Sequence, residues 1–413
     1  MMNYLENLEK YASLAVSIGI NVQKGQEVIL NAPINAVDLT RLITKKCYEA
    51  GASDVIIRYR DDIITHTKLE YSSLELLENV RKWEIDGLLE NHVKKGAALL
   101  SIISSDPDLM SDIDASKMKT YTISQQKAAR EYKDYVLGGN SPWSLVAYPN
   151  KEWAERVFSD LKGEDAISKL WEHIFEITRI DQEDPIKAWD EHVRNINGKV
   201  DFLNNNKMKK LIYKSNGTDL TIELSEKHLW CGADDETLGK NKIKYLANIP
   251  TEEIFTLPKK DGINGYVSST KPLSYNGNLI ENFKITFENG RIVDYSAKKG
   301  EEYLKNLIDT DEGSKYIGEV ALVPHKSPIS DKNTIYYNTL FDENASCHLA
   351  IGNAYLSCIE NGNEMTKEEL EKVGFNTSLS HVDFMIGSSD LNIIGITFDN
   401  KEIKIFENGN WAF

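Results

Sequence analysis

The sequence predicts an α/β protein of two domains: an N-terminal βα domain with a mostly parallel sheet, and a C-terminal α+β domain with a largely antiparallel, barrel-like sheet. Three observations predict this class. The chain has 413 residues, which exceeds the size at which a single hydrophobic core stops growing. Its first part alternates strand-like and helix-like segments, and its later part contains Asn-Gly turns between strand-like runs. We place the domains at residues 1–185 and 186–413.

Alternating periodicity defines the elements of the N-terminal domain. Apolar runs predict strands over residues 27–30, 54–59, 97–103 and 144–148. Helical periodicity predicts helices over residues 35–50, 74–80 and 125–135. Gly51 follows the first of these helices, where glycine is a common stop signal. Strands that alternate with helices in this way indicate parallel βα units.

Hairpins define the C-terminal domain. The acidic run 181–185 ends in a proline, and a helix predicted over 188–205 leads out of it. Two pairs of strands then follow, each joined by an Asn-Gly turn: 210–214 with 219–224, and 282–287 with 292–296. Because Asn-Gly is the strongest short hairpin signal, these pairs predict an antiparallel sheet.

Composition excludes several classes of partner and location. The net charge of −16 repels a phosphate backbone, so nucleic acid and anionic membranes are not expected partners. The four cysteines have irregular spacing without a CxxC pair, which predicts neither a disulfide framework nor a thiolate zinc site. The first ten residues lack the pattern of a secretory signal, and no run reaches the length of a membrane span. We therefore expect a cytoplasmic protein with reduced thiols.

The last two-fifths of the chain concentrates side chains that bind metal ions. His381 and Asp383 are two residues apart in an apolar run, and residues two apart on a strand point to the same face. Glu319 opens the apolar strand 320–324, where a carboxylate is costly unless it is paired or bound to a metal. Glu252 and Glu253 follow Pro250, and periodicity does not decide which of the two turns inward.

His348 and Tyr355 form a further pair. The stretch from Asp342 to Tyr355 is interpreted as the start of a helix, and residues seven apart on a helix share one stripe. Both side chains are then expected to face the same cavity, with Asp342 or Asn344 as the helix cap. A Cys347–His348 dyad is not favoured, because adjacent helical residues diverge by about 100°.

These ligands together predict a site for two divalent metal ions. Two ions bring four positive charges, while Glu253, Glu319 and Asp383 bring three negative ones, so a bridging hydroxide closes the balance. Imidazole and carboxylate ligands without thiolate suit zinc or cobalt, with manganese or magnesium less favoured. The HExxH, P-loop, GxGxxG and GxSxG motifs are absent.

Four ordered segments carry a resemblance to a known family. They are residues 248–256 (NIPTEEIFT), 318–324 (GEVALVP), 344–350 (NASCHLA) and 381–387 (HVDFMIG). With them the chain resembles, nearly end to end, the M29 family of metallo-aminopeptidases, the group of aminopeptidase T and staphylococcal aminopeptidase S. The resemblance includes the segments Tyr11-Ala12 and Val28–Leu30.

The resemblance implies the ligand set and the assembly. It implies metal ligation by Glu253, Glu319, His348, His381 and Asp383, with Tyr355 as a further ligand or as a stabiliser of the transition state. It also selects Glu253 over Glu252. Members of the family are homodimers in which the N-terminal domain helps to wall off the active site, which implies short peptides as substrates.

The predicted reaction is the metal-dependent release of an N-terminal amino acid from a short peptide. The two ions bind the α-amine and polarise the scissile carbonyl, a hydroxide attacks, and Glu319 handles the proton. Tyr355 donates to the oxyanion. Two alternatives stay open at this point: a two-metal phosphoesterase, for which Lys326 and Lys332 supply positive charge, and a non-catalytic binding protein stabilised by metal.

Overall fold

A computed structural model describes residues 4–104, 106–238, 241–275 and 278–413. The helices are α1 Tyr4–Leu14, α2 Val37–Glu49, α3 Asp62–Tyr71, α4 Leu74–Glu78, α5 Trp83–Asn91, α6 Ala115–Tyr135, α7 Lys151–Val157, α8 Glu164–Ile177, α9 Pro185–Asn206, α10 Glu301–Ile308, α11 Thr339–Glu343 and α12 Lys367–Lys372. None of these helices has the length and apolarity needed to cross a bilayer.

The strands of the described residues are β1 Glu27–Pro33, β2 Asp54–Arg60, β3 Ala98–Ile103, β4 Trp143–Ala147, β5 Met208–Ser215, β6 Thr218–Leu224, β7 Asp234–Glu236, β8 Lys244–Leu246, β9 Ile254–Thr256, β10 Pro258–Ser268, β11 Leu273–Tyr275, β12 Asn278–Glu288, β13 Arg291–Lys299, β14 Ile317–Leu322, β15 His348–Gly352, β16 His381–Met385, β17 Asn392–Thr397, β18 Glu402–Glu407 and β19 Asn410–Trp411. They fall into two compact units. Unit 1 comprises Met1–Arg194 and Ala233–Thr251, and unit 2 comprises Asn195–Gly232 and Glu252–Phe413. The boundary predicted at residue 185 stays a prediction.

Unit 1 contains a four-stranded parallel sheet in the order β2-β1-β3-β4, which confirms the predicted βα domain. The central strand β1 is apolar and almost wholly buried, as expected for a parallel sheet covered on both faces. Gly51 has a φ of +95°, the left-handed conformation that ends a helix. The hydroxyl of Tyr11 on α1 donates to the carbonyl of Ala147 and accepts from its N–H, which fixes α1 to the end of β4.

Unit 2 contains two largely antiparallel sheets, and this confirms the predicted α+β class. The larger sheet runs β11-β12-β10-β6-β5-β17-β18-β19, with β13 paired to β12. Both predicted hairpins are present, as β5–β6 and β12–β13. Asn289 and Gly290 both have positive φ, the conformation of a type I′ turn. The barrel-like description is not confirmed, since neither sheet closes on itself among the described residues.

The smaller sheet, in the order β16-β15-β14-β9, corrects one prediction. His348 is not helical: it begins strand β15, and Tyr355 follows the end of that strand. The predicted caps are also wrong, because Asn338 caps the short helix α11 by accepting from the N–H of Leu340. Strand β15 lies between β14 and β16 and is buried on both faces. A strand of this kind has a continuous apolar sequence, which periodicity alone does not distinguish from a buried helix.

Candidate metal centre

The register of the smaller sheet brings the predicted ligands to one face. Glu319 on β14 pairs with Ala350 on β15, and Ala350 pairs with Asp383 on β16. His348 lies two residues before Ala350, and His381 lies two residues before Asp383. Directly paired residues, and residues two apart on a strand, point to the same side of a sheet. Glu319, His348, His381 and Asp383 therefore share one face, although they come from three strands.

Glu253 extends this face from the edge of the sheet. It lies two residues before Phe255 on β9, which pairs with Ala321 on β14. Glu252 is also buried but does not join the ligand cluster in the structure. Its backbone N–H donates to Oδ1 of Asn344 at 2.7 Å, which fixes the chain next to Glu253. The structure thus brings Glu253, rather than Glu252, to the other ligands.

The ligands form two triads that share one residue. The inner triad is Glu253, Glu319 and His348, and the outer triad is Glu319, His381 and Asp383. His348 Nε2 lies 3.1 Å from Glu253 Oε2 and 3.5 Å from Glu319 Oε1. His381 Nε2 lies 3.5 Å from Glu319 Oε2 and 3.5 Å from Asp383 Oδ1. Glu319 therefore directs one carboxylate oxygen to each imidazole.

Hydrogen bonds to the backbone fix the orientation of both imidazoles. Nδ1 of His348 lies 3.1 Å from the carbonyl oxygen of Glu343 and 3.0 Å from that of Ser346. Nδ1 of His381 lies 2.7 Å from the carbonyl oxygen of Asn353. Since carbonyl oxygens only accept, each Nδ1 is protonated. Nε2 is then the atom that faces the carboxylates, which is how ligating histidines are commonly oriented.

In the absence of a cation, protons on the two imidazoles offset the negative charge of the neighbouring carboxylates. Burial opposes the imidazolium form of His348, but its hydrogen bonds to Glu253 and Glu319 raise its pKa well above the ordinary value. Burial likewise opposes the imidazolium of His381, and the charge of Asp383 overcomes it and raises the pKa to about 9. Oδ1 of Asp383 is buried and has no hydrogen-bond partner among the described residues. Divalent cations bound to these nitrogen and oxygen atoms would replace the protons and offset the same negative charge.

Glu343 is a fourth buried carboxyl group at the site, and the prediction from sequence did not include it. The residue is 8% exposed. Burial, followed by the charges of Asp383 and Glu253, raises its pKa well above the ordinary value. In sequence it is the second acidic residue at the end of a short helix, which resembles an exposed helical glutamate. Its position directly before the segment 344–350 is the only sequence signal for it.

Tyr355 lies beside the outer triad. Its ring centroid is 4.6 Å from that of His381, and the ring of Phe255 packs against it edge-on at 6.0 Å. Burial, then the charge of Glu319, raises the pKa of Tyr355 well above its ordinary value, which keeps the phenol protonated. Cys347 is directed elsewhere, since its thiol lies 3.3 Å from the carbonyl of Val323. The structure therefore places Tyr355, and not Cys347, next to the ligands.

Two glycines allow the strands to approach closely behind the ligands. Gly318 is the extra residue of a β-bulge just before Glu319, and a Cβ there would lie 2.2 Å from the carbonyl oxygen of Asn353. Gly352 has a φ of +114°, and a Cβ there would lie 2.1 Å from the carbonyl oxygen of Ser380. Both contacts are too short for any side chain. These glycines therefore let Glu319 and His381 lie side by side.

The site is a largely buried cluster of carboxylates and imidazoles, the set of donors that metal-dependent hydrolases use. The profile of the thermophilic metalloprotease (M29) family matches residues 4–411. The chain belongs to the M29 family.

Relatives match over the whole length of the chain. It is 50% identical to aminopeptidase AmpS of Bacillus subtilis (strain 168), with all of both chains covered. It is 48% identical to aminopeptidase 2 of Geobacillus stearothermophilus, covering 100% of this chain and 99% of the relative. The solved structure of wild-type AmpT from Thermus thermophilus superposes with a TM-score of 0.91 at 37% identity, covering 99% of this chain and 100% of the other.

Membership in this family decides between the three functions that the sequence left open. A metalloprotease hydrolyses peptide bonds, so the predicted peptidase is confirmed. The phosphoesterase and the non-catalytic binding protein are set aside.

Proposed function

We propose that the two triads bind two divalent ions in this metal-dependent aminopeptidase, one ion in each triad, with Glu319 bridging them. The observation that carries this proposal is the orientation of Glu319, whose two oxygens face different imidazoles at the same distance of 3.5 Å. A single tetrahedral ion takes three or four protein ligands, whereas five candidate ligand residues converge here. Of these, His381 and Asp383 lie outside the inner triad.

The chemistry of the ligands favours zinc or cobalt, with manganese or magnesium possible. Each triad offers one imidazole nitrogen and carboxylate oxygens from two residues, without any thiolate. This mixture is typical of zinc sites in hydrolases, whereas magnesium prefers oxygen ligands alone. When bound, such ions polarise the scissile carbonyl and lower the pKa of a water molecule so that it can act as the nucleophile.

The residues of the chain supply proton transfer and charge stabilisation. Glu319 was the sequence-based choice for handling the proton, but a carboxylate with both oxygens directed at ligand positions has little capacity left for that task. Glu343 is better suited, because its carboxyl group is buried near the triads without being a member of either. We propose that Glu343, which would ionise once divalent ions offset the charges of Asp383 and Glu253, accepts the proton from the attacking water and passes it to the leaving amine. The protonated phenol of Tyr355 donates to the developing oxyanion.

The proposed substrate is a short peptide with a free N-terminus. A free α-amine could bind to one of the ions, whereas an acylated amine could not. Restriction to short peptides, assembly as a homodimer and a cytoplasmic location remain predictions that rest on the resemblance and on composition.

The test is hydrolysis of leucine and arginine p-nitroanilides by the purified chain, before and after chelation and after zinc, cobalt, manganese or magnesium is restored. We expect activity to disappear with chelation and to return with metal, and N-acetyl-leucine p-nitroanilide to resist cleavage. Metal analysis of the most active form should give two ions per chain. One ion per chain at full activity would overturn the two-ion proposal while leaving the aminopeptidase intact.

A further inference from the structure

Unit 1 contains a cavity of about 850 Å³ that is built wholly from its own residues. Its size is in the range of sites that hold small molecules. None of its lining residues belongs to the candidate metal centre, whose residues are all in unit 2. The cavity is lined by the start of α1, by the segments after β1 and β4, and by one side of α8.

Aromatic side chains form the walls of the cavity. Tyr148 packs edge-on against Trp171 with a centroid distance of 5.2 Å, and Phe175 stacks on the same indole at 4.9 Å. Tyr4 meets Trp171 edge-on at 5.7 Å. Trp171 and Phe175 are buried in the core of the unit. The walls are therefore apolar and held by packing, which suits a ligand with an apolar side chain.

The cavity lies where open α/β sheets commonly bind ligands. After β1 the chain adds β2 on one side of β1 and then β3 on its other side. The direction in which strands are added to the sheet therefore reverses between β1 and β3. Asn35 follows β1, Ser104 follows β3 and Asn150 follows β4. The amides of Asn35 and Asn150 donate to the same hydroxyl of Ser104, at 3.1 and 3.3 Å. These contacts mark the carboxyl edge of the sheet, the usual location of the ligand crevice.

The charges around the cavity do not suit the anionic ligands that this position often binds. Three carboxylates, Glu152, Glu164 and Glu172, line it together with one ammonium group, Lys151. Glu172 is paired with Lys169 at 2.9 Å, which leaves the other two carboxylates to set the local potential. A phosphate meets net repulsion there. A ligand with an ammonium group and a single carboxylate finds a partner for each of them.

We propose that this cavity binds a free α-amino acid with an apolar or aromatic side chain. The aromatic walls receive the side chain, Glu152 and Glu164 face the α-ammonium group, and Lys151 faces the α-carboxylate. Amino acids of this class are also what an aminopeptidase releases. Binding in unit 1 needs no metal ion, so it is measurable whether or not the proposed reaction at the metal centre is correct.

The experiment uses the full chain after chelation, so that no metal ion can hold an amine in unit 2. L-Phenylalanine is titrated into it by calorimetry, with phenethylamine and N-acetyl-L-phenylalanine as probes that lack the carboxylate or the ammonium group. We expect one site per chain for L-phenylalanine. Loss of either charged group should weaken binding by about tenfold, the usual effect of one charged hydrogen bond.

Variants locate the bound amino acid. Ser168 lies on the exposed side of α8 and lines the cavity, so the indole of Ser168→Trp obstructs the cavity and should weaken binding strongly. Glu164→Gln is the milder variant and should weaken binding by about tenfold. Asp165→Asn is its matched control, because it removes a charge from the next residue of the same helix turn outside the cavity. Asp165→Asn should bind L-phenylalanine as the unmodified chain does.

Three results would overturn the proposal. They are the absence of any heat of binding for L-phenylalanine, binding that survives both Ser168→Trp and Glu164→Gln, and equal weakening by Glu164→Gln and Asp165→Asn. Circular dichroism and the melting temperature of each variant separate loss of the site from loss of the fold. Hydrolysis of leucine p-nitroanilide by the metal-loaded variants should stay unchanged.

Discussion

The inner and outer triads use the same kinds of ligand but differ in their access to solvent. The difference lies in the imidazoles: the side chain of His348 in the inner triad is 1% exposed and that of His381 in the outer triad is 20% exposed, whereas the carboxylates of Glu253 and Asp383 are 11% and 13% exposed. A closed site holds an ion for stability, and an open position admits water or substrate. If two ions bind as proposed, this difference predicts that the inner ion organises the site and that the outer ion meets the substrate.

Replacement of Glu319, which belongs to both triads, should affect both triads alike and should lower metal content and activity more than any other change. We expect Glu319→Gln to lose both ions and at least about a thousandfold in kcat/KM, since each ion contributes several kcal/mol to the transition state. Metal analysis and p-nitroanilide hydrolysis measure the two effects. Glu252→Gln is the matched control, because Glu252 is buried beside Glu253 but belongs to neither triad. Retention of both ions by Glu319→Gln would contradict the bridging role.

The two histidines test the comparison directly. We expect His381→Ala to keep one tightly held ion and His348→Ala to yield its remaining ion readily to a chelator, with activity reduced by about a hundredfold or more in both. The buried ion is protected from exchange in the first variant, whereas the outer ion of the second is accessible. The exposed His325 offers a control in the same unit, since His325→Ala should keep both ions. Equal rates of metal loss from the two variants would show that burial does not distinguish the triads.

Tyr355→Phe should change turnover without changing metal content. The hydroxyl is expected to stabilise the oxyanion, and loss of one such donor typically lowers kcat by about a hundredfold. A control is Tyr213→Phe, which removes a buried hydroxyl without a hydrogen-bond partner in the described part of the chain. Unchanged turnover in Tyr355→Phe would remove this residue from the mechanism. Loss of an ion from Tyr355→Phe would instead indicate that Tyr355 is a metal ligand.

Local periodicity predicted one triad better than the other. His381 and Asp383 are two apart on β16, so a period of two is enough to place both on one face. The inner triad depends on the central strand β15, whose buried sequence was interpreted as a helix. The position of Glu253 depends on pairing between β9 and β14, which are about sixty residues apart. Such pairings are set by tertiary packing and leave no local pattern.

The same distinction applies to the fold. The parallel sheet of unit 1 was predicted because its strands and helices alternate in sequence. The order of the large sheet was not, because β17 pairs with β5 across about 180 residues. Glu343 was missed for a related reason, since its role comes from burial near ligands that lie on other strands. Chemistry and local period predicted the candidate ligands, the family resemblance selected Glu253 over Glu252, and the register of the smaller sheet brings these residues together.

The smallest expected effect is the pH dependence of metal binding. It measures the competition between a metal ion and the proton that the ion displaces from His381. In the metal-free protein the pKa of His381 is raised from 6.5 to about 9, because the nearby Asp383 and Glu319 outweigh the opposing effect of burial. A raised pKa means that the imidazolium stabilises the fold fully below pH 6.5 and that this contribution, at most about 3 kcal/mol, is lost as the pH rises through 9. The melting temperature of the metal-free chain should therefore fall between pH 7 and 9.

Metal affinity should change in the opposite direction over the same range. An ion must displace the proton from His381, so raising the pH by one unit should strengthen binding by about tenfold until the proton is gone near pH 9. Competition with a chelator of known affinity measures this slope, and His381→Asn should reduce it because one proton no longer competes. A slope that is the same in both proteins would show that His381 does not bind the ion. A slope that disappears only when His348 is replaced would assign the exchangeable ion to the inner triad. The inner triad, and not the outer one, would then be the open site.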